Sequence, residues 1–586
     1  MALHVTFFHS IAMLLERFKK LIGRNVKDRA ASREIAPDEI FLDSHNLPEF
    51  NRDQFEGRLE KPIGTRVIIA AGTIFLLIGL LFTARLFTLQ IRDGAAYVAK
   101  STANRLRHSV LFAARGIVYD RTGRLLVSNV EDARNADIAR RRYADIVGVS
   151  SVLGYVKYPS KDSAGFYYTE DYTGLGGIEK FYNTELGGTN GMRIVETDAH
   201  GTIISESLLR LPEDGKNLTL SVDARVQEKL YGFMKDLSDE IGFDGGAGAL
   251  MDVESGELLA LVSFPEYQSN ILSDGTDKST IARYSVNPKK LFLNRPVDGL
   301  YTPGSIVKPF LALGVLQEGL ISPEKQILST GSISIPNPFD PKKRSVFNDW
   351  RPQGLVDMRH ALAVSSNVYF YEVGGGFEDQ KGLGIEGIEK YARMFGLGEP
   401  VPSVPFFGKR GVVPSPVWKA ENFKGDPWRI GDTYNTAIGQ YGFQITLLQA
   451  VRATAAVANG GMLLTPTLIR AGGAAGIMAA PPARLLVDPA HFKVVQEGMR
   501  LGVLEGTAKN LNIPEVEIAA KTGTAEIGTT KKQVNSWVIG FFPYKHPRYA
   551  FAILMEAGPR DNTVGALFVL RRLIEWMSVN TPEYLK

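Results

Sequence analysis

The feature that most constrains this chain is a long uncharged run near its start. Residues 67–84, VIIAAGTIFLLIGLLFTA, contain no charge in 18 positions and are bounded by Arg66 and Arg85. As a helix this run rises about 27 Å, enough to cross a hydrocarbon core of roughly 30 Å when the flanking side chains reach the interface. A buried core helix would normally carry a polar stripe, but only Thr73 and Thr83 interrupt the apolar surface. The run therefore predicts a single membrane anchor.

The residues around the run do not determine its orientation in the membrane. It starts 66 residues into the chain without a small-residue cleavage site, so a removable signal peptide is not favoured. Basic residues are almost equally divided between its two flanks, so the positive-inside rule does not set the topology. Upstream, apolar residues recur at helical spacing from Phe8 to Ile22, which indicates either an interfacial helix or a small helix packed on a partner. Residues 25–64 are polar and are expected to form a flexible tail.

Composition excludes several kinds of site. The chain has no cysteine, so disulfide scaffolds, thiolate zinc sites, iron–sulfur clusters and cysteine nucleophiles are ruled out. A net charge of +4 over 586 residues does not indicate a nucleic-acid partner. The eight histidines show no HExxH or other regular ligand spacing. Asp349, Trp350, Asp357 and His360 are a weak alternative as metal ligands, and we expect neither metal nor cofactor.

Beyond the anchor, the hydrophobic pattern divides the chain into two regions. Residues 89–225 contain short strand-like runs, turn signals and a glycine-rich stretch at 174–191, which indicates an extended, loop-rich module. From about residue 226 the patterns are stronger, and residues 248–264 are typical of a β-hairpin that turns at Glu254-Ser255-Gly256.

The end of the chain completes this second region. Residues 536–542 and 548–556 indicate two further strands, joined by a turn at His546-Pro547, and Leu567 to Met577 indicates a helix with one buried face. Helical stretches occupy the middle. Strands at both ends with helices between them predict an α+β domain, in which helices pack on a largely antiparallel sheet.

The first motif that carries chemistry is Ser305-Ile306-Val307-Lys308. A Pro303-Gly304 turn precedes it, so a helix that begins at Ser305 would present Ser305 and Lys308 on one face. A lysine can activate a serine nucleophile when burial or positive neighbours lower the lysine pKa. Pro309 disfavours the α conformation at Lys308 and predicts a distorted turn. Alone, the S-x-x-K pattern is common by chance.

Two shorter motifs follow. Ser365-Ser366-Asn367 places a hydroxyl and an amide in a polar loop between apolar helices, where such a pattern more often caps a helix. Lys521-Thr522-Gly523-Thr524 follows an apolar stretch. On a strand Lys521 and Gly523 share one face, and the glycine allows another backbone or a ligand to approach closely. The backbone N–H of Thr524 can serve a developing oxyanion.

In this order, S-x-x-K, S-x-N and K-T-G are the signature of penicillin-binding proteins and class A β-lactamases. The chain resembles a class B penicillin-binding protein over residues 65–586. Residues 115–123, RGIVYDRTG, and 177–180, GIEK, resemble elements of the family's membrane-proximal module. Asn294-Arg295 to Lys308, Asp432-Thr433 and Ile438-Gly439-Gln440 are most similar to the elongation branch, penicillin-binding protein 2. The usual Gly-Gln-Gly is altered to Gly439-Gln440-Tyr441.

The resemblance implies a peptidoglycan D,D-transpeptidase that works through a serine acyl-enzyme. Ser305 would attack the D-Ala–D-Ala carbonyl, Lys308 would act as base and Ser365 would relay protons to the leaving group. The backbone N–H groups of Ser305 and Thr524 would form the oxyanion hole. β-Lactams would acylate Ser305. The implied substrate-binding residues are Asn367, Lys521, Thr522, Gly523 and Thr524.

The resemblance also implies an architecture and partners. The transpeptidase fold has helices on a mainly antiparallel five-stranded sheet, here at residues 226–586. A β-rich pedestal would occupy 89–225, a transmembrane helix 65–88 and a cytoplasmic tail 1–64, with the catalytic domain in the periplasm at the inner membrane. Expected partners are D-Ala-D-Ala stem peptides, β-lactams and a SEDS-type glycosyltransferase, without cofactor or nucleic acid.

Other functions share the same serine and lysine. A D,D-carboxypeptidase uses both, and so would a β-lactamase or a membrane β-lactam sensor. A β-lactamase needs a deacylating base, which no motif supplies, and a sensor would usually need a separate signalling domain. A non-catalytic scaffold of a wall-synthesis complex is disfavoured because all three motifs are intact. The D,D-carboxypeptidase and the scaffold remain the alternatives to transpeptidation.

Overall fold

The computed structural model describes residues 64–163, 167–197, 203–340, 342–402, 408–471, 481–528, 531–562 and 564–586. The predicted amphipathic segment, the polar tail up to residue 63 and most of the Ala/Gly/Pro-rich stretch of 471–484 lie outside these ranges. The chain divides into one compact unit up to Ser101 and a second from Thr102 to Lys586.

The first unit contains the apolar run. Helix α1 (Thr65–Phe87) has no buried residue and is followed by a π-helical turn (Thr88–Arg92) and by α2 (Gly94–Arg105). The hydroxyls of Thr73 and Thr83 donate to backbone carbonyls one turn earlier, at 2.7 and 2.8 Å, so both polar groups are satisfied within the helix. Within the described residues, this is the one helix long and apolar enough to cross a membrane. The single N-terminal apolar helix predicted from the run is confirmed.

A module of short strands opens the second unit. Its elements are β1 (Leu106–Leu111), β2 (Val118–Tyr119), β3 (Leu125–Glu131), β4 (Ala139–Tyr143), α3 (Ser150–Leu153), β5 (Val156–Lys157), β6 (Ser160–Lys161), β7 (Tyr167–Thr169), β8 (Thr173–Gly174), α4 (Gly177–Phe181), α5 (Asn183–Gly187), β9 (Gly191–Thr197), β10 (Ile203–Arg210) and β11 (Leu218–Thr219). They form a three-stranded sheet in the order β1-β9-β10, a four-stranded sheet in the order β11-β2-β3-β4, and two ribbons, β5-β8 and β6-β7. The strand-rich, loop-rich character predicted for this region is confirmed.

A buried carboxylate holds this module together. Glu179 accepts hydrogen bonds from Nε of Arg115 at 2.6 Å and from Nε of Arg141 at 2.7 Å. All three side chains are at most 1% exposed. Asn129 completes the network by accepting from Arg141 at 2.9 Å. The two sequence elements that contain Arg115 and Glu179 therefore meet as one ion network inside the module, because a buried charge requires partners.

The rest of the second unit carries the larger elements. In chain order they are α6 (Ala224–Ile241), β12 (Gly245–Asp252), β13 (Leu258–Phe264), α7 (Ser269–Asp274), α8 (Lys278–Ser285), α9 (Arg295–Asp298), a 3₁₀ turn (Gly304–Val307), α10 (Lys308–Gln317), β14 (Ile327–Ser329), β15 (Ser332–Pro336), β16 (Arg344–Asn348), β17 (Gly354–Val356), α11 (Met358–Ala363), α12 (Asn367–Gly375), α13 (Gly384–Met394), α14 (Pro416–Asn422), α15 (Ile430–Ala437), α16 (Leu447–Ala458), β18 (Met462–Leu463), β19 (Ala483–Arg484), α17 (Pro489–Leu504), β20 (Ala519–Ile527), β21 (Gln533–Phe542), β22 (Tyr549–Pro559) and α18 (Ala566–Asn580).

A five-stranded antiparallel sheet in the order β13-β12-β22-β21-β20 organises these elements. Its strands come from both ends of the region, and the predicted hairpin is β12-β13. Successive side chains of β22 alternate between two cores: Phe551 and Ile553 pack with α6 and α18, whereas Ala552 and Leu554 face the core of α16. Every residue of α16 is buried. The predicted α+β fold, with helices on both faces of an antiparallel sheet, is confirmed.

The edge of this sheet positions the first motif. Strand β20 is the edge strand, and the 3₁₀ turn Gly304–Val307 packs beside it. Pro309 disfavours the α region at Lys308, but this preference is overcome, because Lys308 has φ −55° and ψ −41° and begins α10. Proline is tolerated in the first turn of a helix, where its missing N–H has no intrahelical partner to lose. The distortion lies one step earlier, in the 3₁₀ turn itself.

Candidate active site

The predicted nucleophile lies in a turn that is fixed from two sides. Ser305 is half-buried, and Gly304 before it has a φ of +58°, in the left-handed region. The Gly304 N–H donates to the Gly439 carbonyl at 3.0 Å. The Trp537 indole N–H, on β21, donates to the carbonyl of Thr302 at 3.0 Å. These contacts fix the turn against the loop that follows α15 and against β21 before any substrate arrives.

Two glycines let the backbones come this close. A Cβ atom on Gly523 would lie 2.9 Å from Cγ2 of Ile306, and one on Gly439 would lie 2.1 Å from the carbonyl oxygen of Gly304. Real Cβ atoms do not make contacts shorter than 3.0 Å, so larger residues would push the turn away from the strand. This is the close backbone approach that the third motif predicts for Gly523.

Lys308 is fully buried beneath the nucleophile turn. Its Nζ atom donates to the Ser365 carbonyl at 2.8 Å, to Oδ1 of Asn367 at 2.8 Å and to the Ser366 carbonyl at 3.2 Å. Burial lowers the pKa of Lys308 from 10.5 to about 7, although the nearby charge of Asp349 acts in the opposite direction. A lysine with a pKa near neutrality can both accept and return a proton.

A second lysine reaches the other side of the same loop. Lys521, also buried, donates from Nζ to Oγ of Ser365 at 2.7 Å and to the carbonyl of Thr522 at 2.8 Å. Burial, and then the charge of Lys308, hold the pKa of Lys521 well below its usual range. The Nζ atom of Lys308 lies 3.4 Å from the same Ser365 hydroxyl. Ser365 has a φ of +58°, so a strained residue is held between two lysines.

A buried aspartate fixes the loop that carries Ser365. Oδ2 of Asp349 accepts hydrogen bonds from the hydroxyl of Ser366 at 2.8 Å, from the backbone N–H of Val368 at 3.1 Å and from the hydroxyl of Ser329 at 3.2 Å. Ser366 also caps α12 by accepting from the backbone N–H of Tyr369 at 3.3 Å. Asp349 thus organises the second motif. Its sequence context suggests only a role as a metal ligand.

Asp357 and His360, two of the residues considered as metal ligands, contact each other at the start of α11. Asp357 caps α11, because its Oδ1 accepts from the backbone N–H of His360 at 2.9 Å and lies 2.8 Å from Nδ1 of the same histidine. Among the residues that the structure describes, no group of three or more His, Cys, Asp or Glu side chains could hold a metal ion.

Two cavities meet at Ser305, with volumes of about 400 and 880 Å³. Ser305, Trp350, Asn367 and Thr524 line both. The smaller cavity continues along the third motif to Thr507 and Ser536, and the larger one to Asn435, Tyr441, Glu526 and Arg560. Because Ser305 lies where the two cavities meet, one peptide can reach it from each cavity.

The structure brings together all eight residues that the three motifs select. They are Ser305, Lys308, Ser365, Asn367, Lys521, Thr522, Gly523 and Thr524. Sequence reasoning missed Asp349 as a loop organiser, Trp350 as a cleft wall and Thr507 as a partner of Thr522. Trp537 is buried and fixes the nucleophile turn through its bond to Thr302.

Comparison with known families gives two matches in separate parts of the chain. Residues 246–569 match the model of the penicillin binding protein transpeptidase domain. Residues 135–220 match the model of the penicillin-binding protein dimerisation domain.

Individual relatives extend over most of the chain. The peptidoglycan D,D-transpeptidase MrdA of Acinetobacter baumannii is 26% identical and covers 86% of each chain. The structure of Helicobacter pylori penicillin-binding protein PBP2 in complex with MreC is 26% identical, with a TM-score of 0.67 over 81% of this chain and 99% of that one. A chain of a peptidoglycan synthase complex that coordinates polymerization and crosslinking has the same fold, with a TM-score of 0.67 at 24% identity over 89% and 99% of the two chains.

Proposed function

Because the chain belongs to the class B penicillin-binding proteins and is a peptidoglycan D,D-transpeptidase of the PBP2/MrdA type, we propose that it cross-links stem peptides during cell elongation and maintains cell shape. The family is the one that the three motifs predict. The observation that carries the proposal is the convergence of Lys308 and Lys521 on the Ser365 hydroxyl, in the cleft that Ser305 lines. The elongation role is supported by relatives of the MrdA type that span most of the chain.

The first half-reaction would form an acyl-enzyme. Oγ of Ser305 attacks the carbonyl carbon of the penultimate D-Ala, and its proton passes to neutral Lys308, three residues on at the start of α10. The backbone N–H groups of Ser305 and Thr524 stabilise the tetrahedral oxyanion. The C–N bond then breaks, and Ser365 passes a proton from Lys308 to the nitrogen of the departing D-Ala.

The donor peptide would lie along strand β20. As an edge strand, β20 presents backbone groups that an extended peptide can pair with. Asn367 would hold a peptide amide beside Ser305. The hydroxyls of Thr522 and Thr524 would face the terminal carboxylate at the smaller cavity. Lys521, behind them, supports the carboxylate site through its bond to the Thr522 carbonyl and Ser365 through its bond to the hydroxyl.

The second half-reaction would consume the ester. The amine of a neighbouring stem enters from the larger cavity and attacks the acyl carbon, Lys308 takes up the proton of the amine, and Ser305 is released with its hydroxyl restored. If water took the place of the amine, the same residues would give the carboxypeptidase reaction. A β-lactam would stop after the first half-reaction because its ring opens without releasing a leaving group.

The experiment is covalent labelling with a fluorescent penicillin, followed by mass spectrometry of the adduct. Wild-type protein should carry one adduct on Ser305, and Ser305→Ala should carry none while its unfolding free energy changes by less than about 1 kcal/mol. Ser578→Ala, on α18, is the matched control and should label normally. With lipid-linked peptidoglycan, cross-linked dimers are expected. Labelling of Ser305→Ala, or hydrolysis products alone, would contradict the proposed transpeptidation.

We also propose the division into tail (1–64), anchor (65–88), pedestal (89–225) and periplasmic transpeptidase domain (226–586). The apolar surface of α1 supports the anchor, and the location of peptidoglycan outside the inner membrane supports the orientation. Leu77→Arg, at the centre of α1, should impair insertion at a cost of ~2.5–3.5 kcal/mol, whereas Phe87→Arg, at the end of the helix, should not. Protease added to spheroplasts should digest the C-terminal region. Digestion of the tail instead would reverse the topology.

The partner that we propose is a SEDS-type glycosyltransferase, bound through α1. The similar fold of a chain in a peptidoglycan synthase complex and the unburied apolar surface of α1 support this pairing. Replacing α1 by an unrelated transmembrane helix should abolish co-purification with the polymerase while Ser305 still labels with penicillin. Unchanged co-purification would place the contact elsewhere.

A further inference from the structure

Thr507 lies outside all three motifs but contacts the third motif and the end of the helix that precedes the second. Its Oγ1 atom lies 2.6 Å from Oγ1 of Thr522, in the K-T-G strand. Its backbone N–H donates to the carbonyl of Ala363 at 3.1 Å. Ala363 ends α11, two residues before Ser365. One residue therefore connects the strand of the third motif to the loop of the second.

The position of Thr507 is fixed by close backbone packing. A Cβ atom on Gly506 would lie 2.1 Å from the carbonyl oxygen of Ala363, and one on Gly502 would lie 3.0 Å from the carbonyl oxygen of Ala520. The end of α17 is thus pressed between α11 and β20, with glycine at both points of contact. Thr507 cannot move away from Thr522 without displacing this backbone.

The hydroxyl pair has a consequence for the direction of its protons. Each threonine hydroxyl has one proton, and one of the two is used in the bond between them. If Thr522 donated to Thr507, its only hydroxyl proton would be used in that bond. Thr522 could then offer only a lone pair to the cleft, and a carboxylate there would find no donor. If Thr507 donates, Thr522 keeps its proton for the cleft and becomes a stronger donor, because hydrogen bonds in a chain polarise one another. Both residues line the smaller cavity.

We propose that Thr507 is a positioning residue for the terminal carboxylate of the donor peptide, and for the carboxylate of β-lactams. It donates to Thr522 and thereby directs the Thr522 proton to the carboxylate. This inference rests on the proposed function, in which Thr522 faces that carboxylate. It adds a residue that no motif contains and assigns a donor and an acceptor within the pair.

The test compares a penicillin with its methyl ester, which lacks the carboxylate charge. For Thr507→Val, which keeps the shape and removes the hydroxyl, we expect acylation by the acid to slow about tenfold and acylation by the ester to change less than about twofold. The acid-to-ester rate ratio should therefore fall about fivefold or more. Thr507→Ser should restore the wild-type ratio. A purely structural defect would slow both compounds equally.

Two further variants separate the proposed role of the Thr507 hydroxyl from a general effect on folding. Thr454→Val removes a buried hydroxyl on α16, away from the cleft, and should leave the ratio unchanged. Thr507→Ala removes the same hydroxyl with a smaller side chain, so it replaces Thr507→Val if that variant does not fold. An unchanged ratio in a folded variant, with the label on Ser305, would overturn the inference alone. A label on another residue would overturn the proposed function and the inference together.

Discussion

The Nζ atom of Lys521 lies 2.7 Å from the hydroxyl oxygen of Ser365. Lys521 is only 1% exposed, so it acts on the cleft mainly through this hydroxyl and through its other neighbours. In the proposed function Lys521 supports the site of the substrate carboxylate. The geometry adds a second role, because a donor at this distance orients the Ser365 proton that serves the leaving group.

We therefore expect Lys521→Ala to reduce the limiting acylation rate as well as the affinity for penicillin. Leaving the buried Ser365 hydroxyl without this partner corresponds to about 10- to 100-fold. Lys521→Arg should not restore the rate, since a planar guanidinium does not fit a buried site built for a compact ammonium. The measurement is the acylation rate as a function of drug concentration. A weaker affinity with an unchanged limiting rate would restrict Lys521 to carboxylate binding.

The pH dependence of acylation should report Lys308. With a pKa of about 7, Lys308 is neutral and able to act as base above that pH. The second-order acylation rate should rise about tenfold per pH unit below pH 7 and level off above it. Stopped-flow labelling between pH 5.5 and 8.5 measures the profile. A flat profile over this range would remove Lys308 as the base.

The same lowered pKa links stability to pH with a defined sign. Between about pH 7 and the ordinary value of 10.5, the unfolded chain binds a proton at Lys308 that the folded chain does not. Stability from this group is therefore lowest below pH 7 and rises with pH across that window. Lys308→Met lacks the group, so the unfolding free energy of wild type relative to this variant should increase from pH 7 to pH 10. A constant difference in chemical denaturation would contradict the shift.

The ion network of the strand-rich module gives a stability prediction far from the cleft. Glu179→Gln keeps the shape of the side chain but leaves Arg115 and Arg141 buried without a counter-charge, so we expect a loss of about 3–5 kcal/mol. Glu206→Gln breaks the exposed pair with Arg193 and should cost less than about 1 kcal/mol. Thermal melts of both variants make the comparison. Equal effects would mean that Glu179 is solvated.

Much of the fold follows from local sequence patterns. Nearly continuous apolar runs locate β21 and β22, because both faces of these strands enter a core. The apolar run locates α1, and spacing alone puts Ser305 and Lys308 on one face. Each of these inferences uses residues that are close in sequence, where backbone geometry fixes their relative directions.

The remaining contacts depend on how distant segments pack. Asp349 and Thr507 bind groups 17 and 15 residues away, and Lys521 binds Ser365 across 156 residues. The sequence separation within each of these pairs matches neither the helical nor the strand repeat, so no sequence pattern predicts the contact. The motif order indicates that the three segments meet, but the direction of each side chain is set by the buried backbone around it. Hence the motif residues could be predicted, whereas the roles of Asp349 and Thr507 and the hydrogen bonds of the site could not.

Tyr441 offers a test of stored backbone strain at the cleft. It replaces the second glycine of the related Gly-Gln-Gly pattern and keeps a φ of +63°, where a side chain costs about 1–2 kcal/mol. Its ring stacks on Phe423 with centroids 6.2 Å apart and meets the edges of Trp418 and Trp428. These contacts hold the residue in a conformation that its own backbone disfavours.

We expect Tyr441→Gly to be more stable than Tyr441→Ala by about 1 kcal/mol, because both lose the ring but only glycine relieves the left-handed backbone. At Lys229, an exposed position inside α6, the same pair of substitutions should show the opposite order, with alanine about 1 kcal/mol more stable than glycine. Denaturant unfolding of the four variants measures both differences. If alanine is the more stable residue at both positions, then Tyr441 carries no backbone strain, and its conformation is set by the loop rather than by the aromatic contacts.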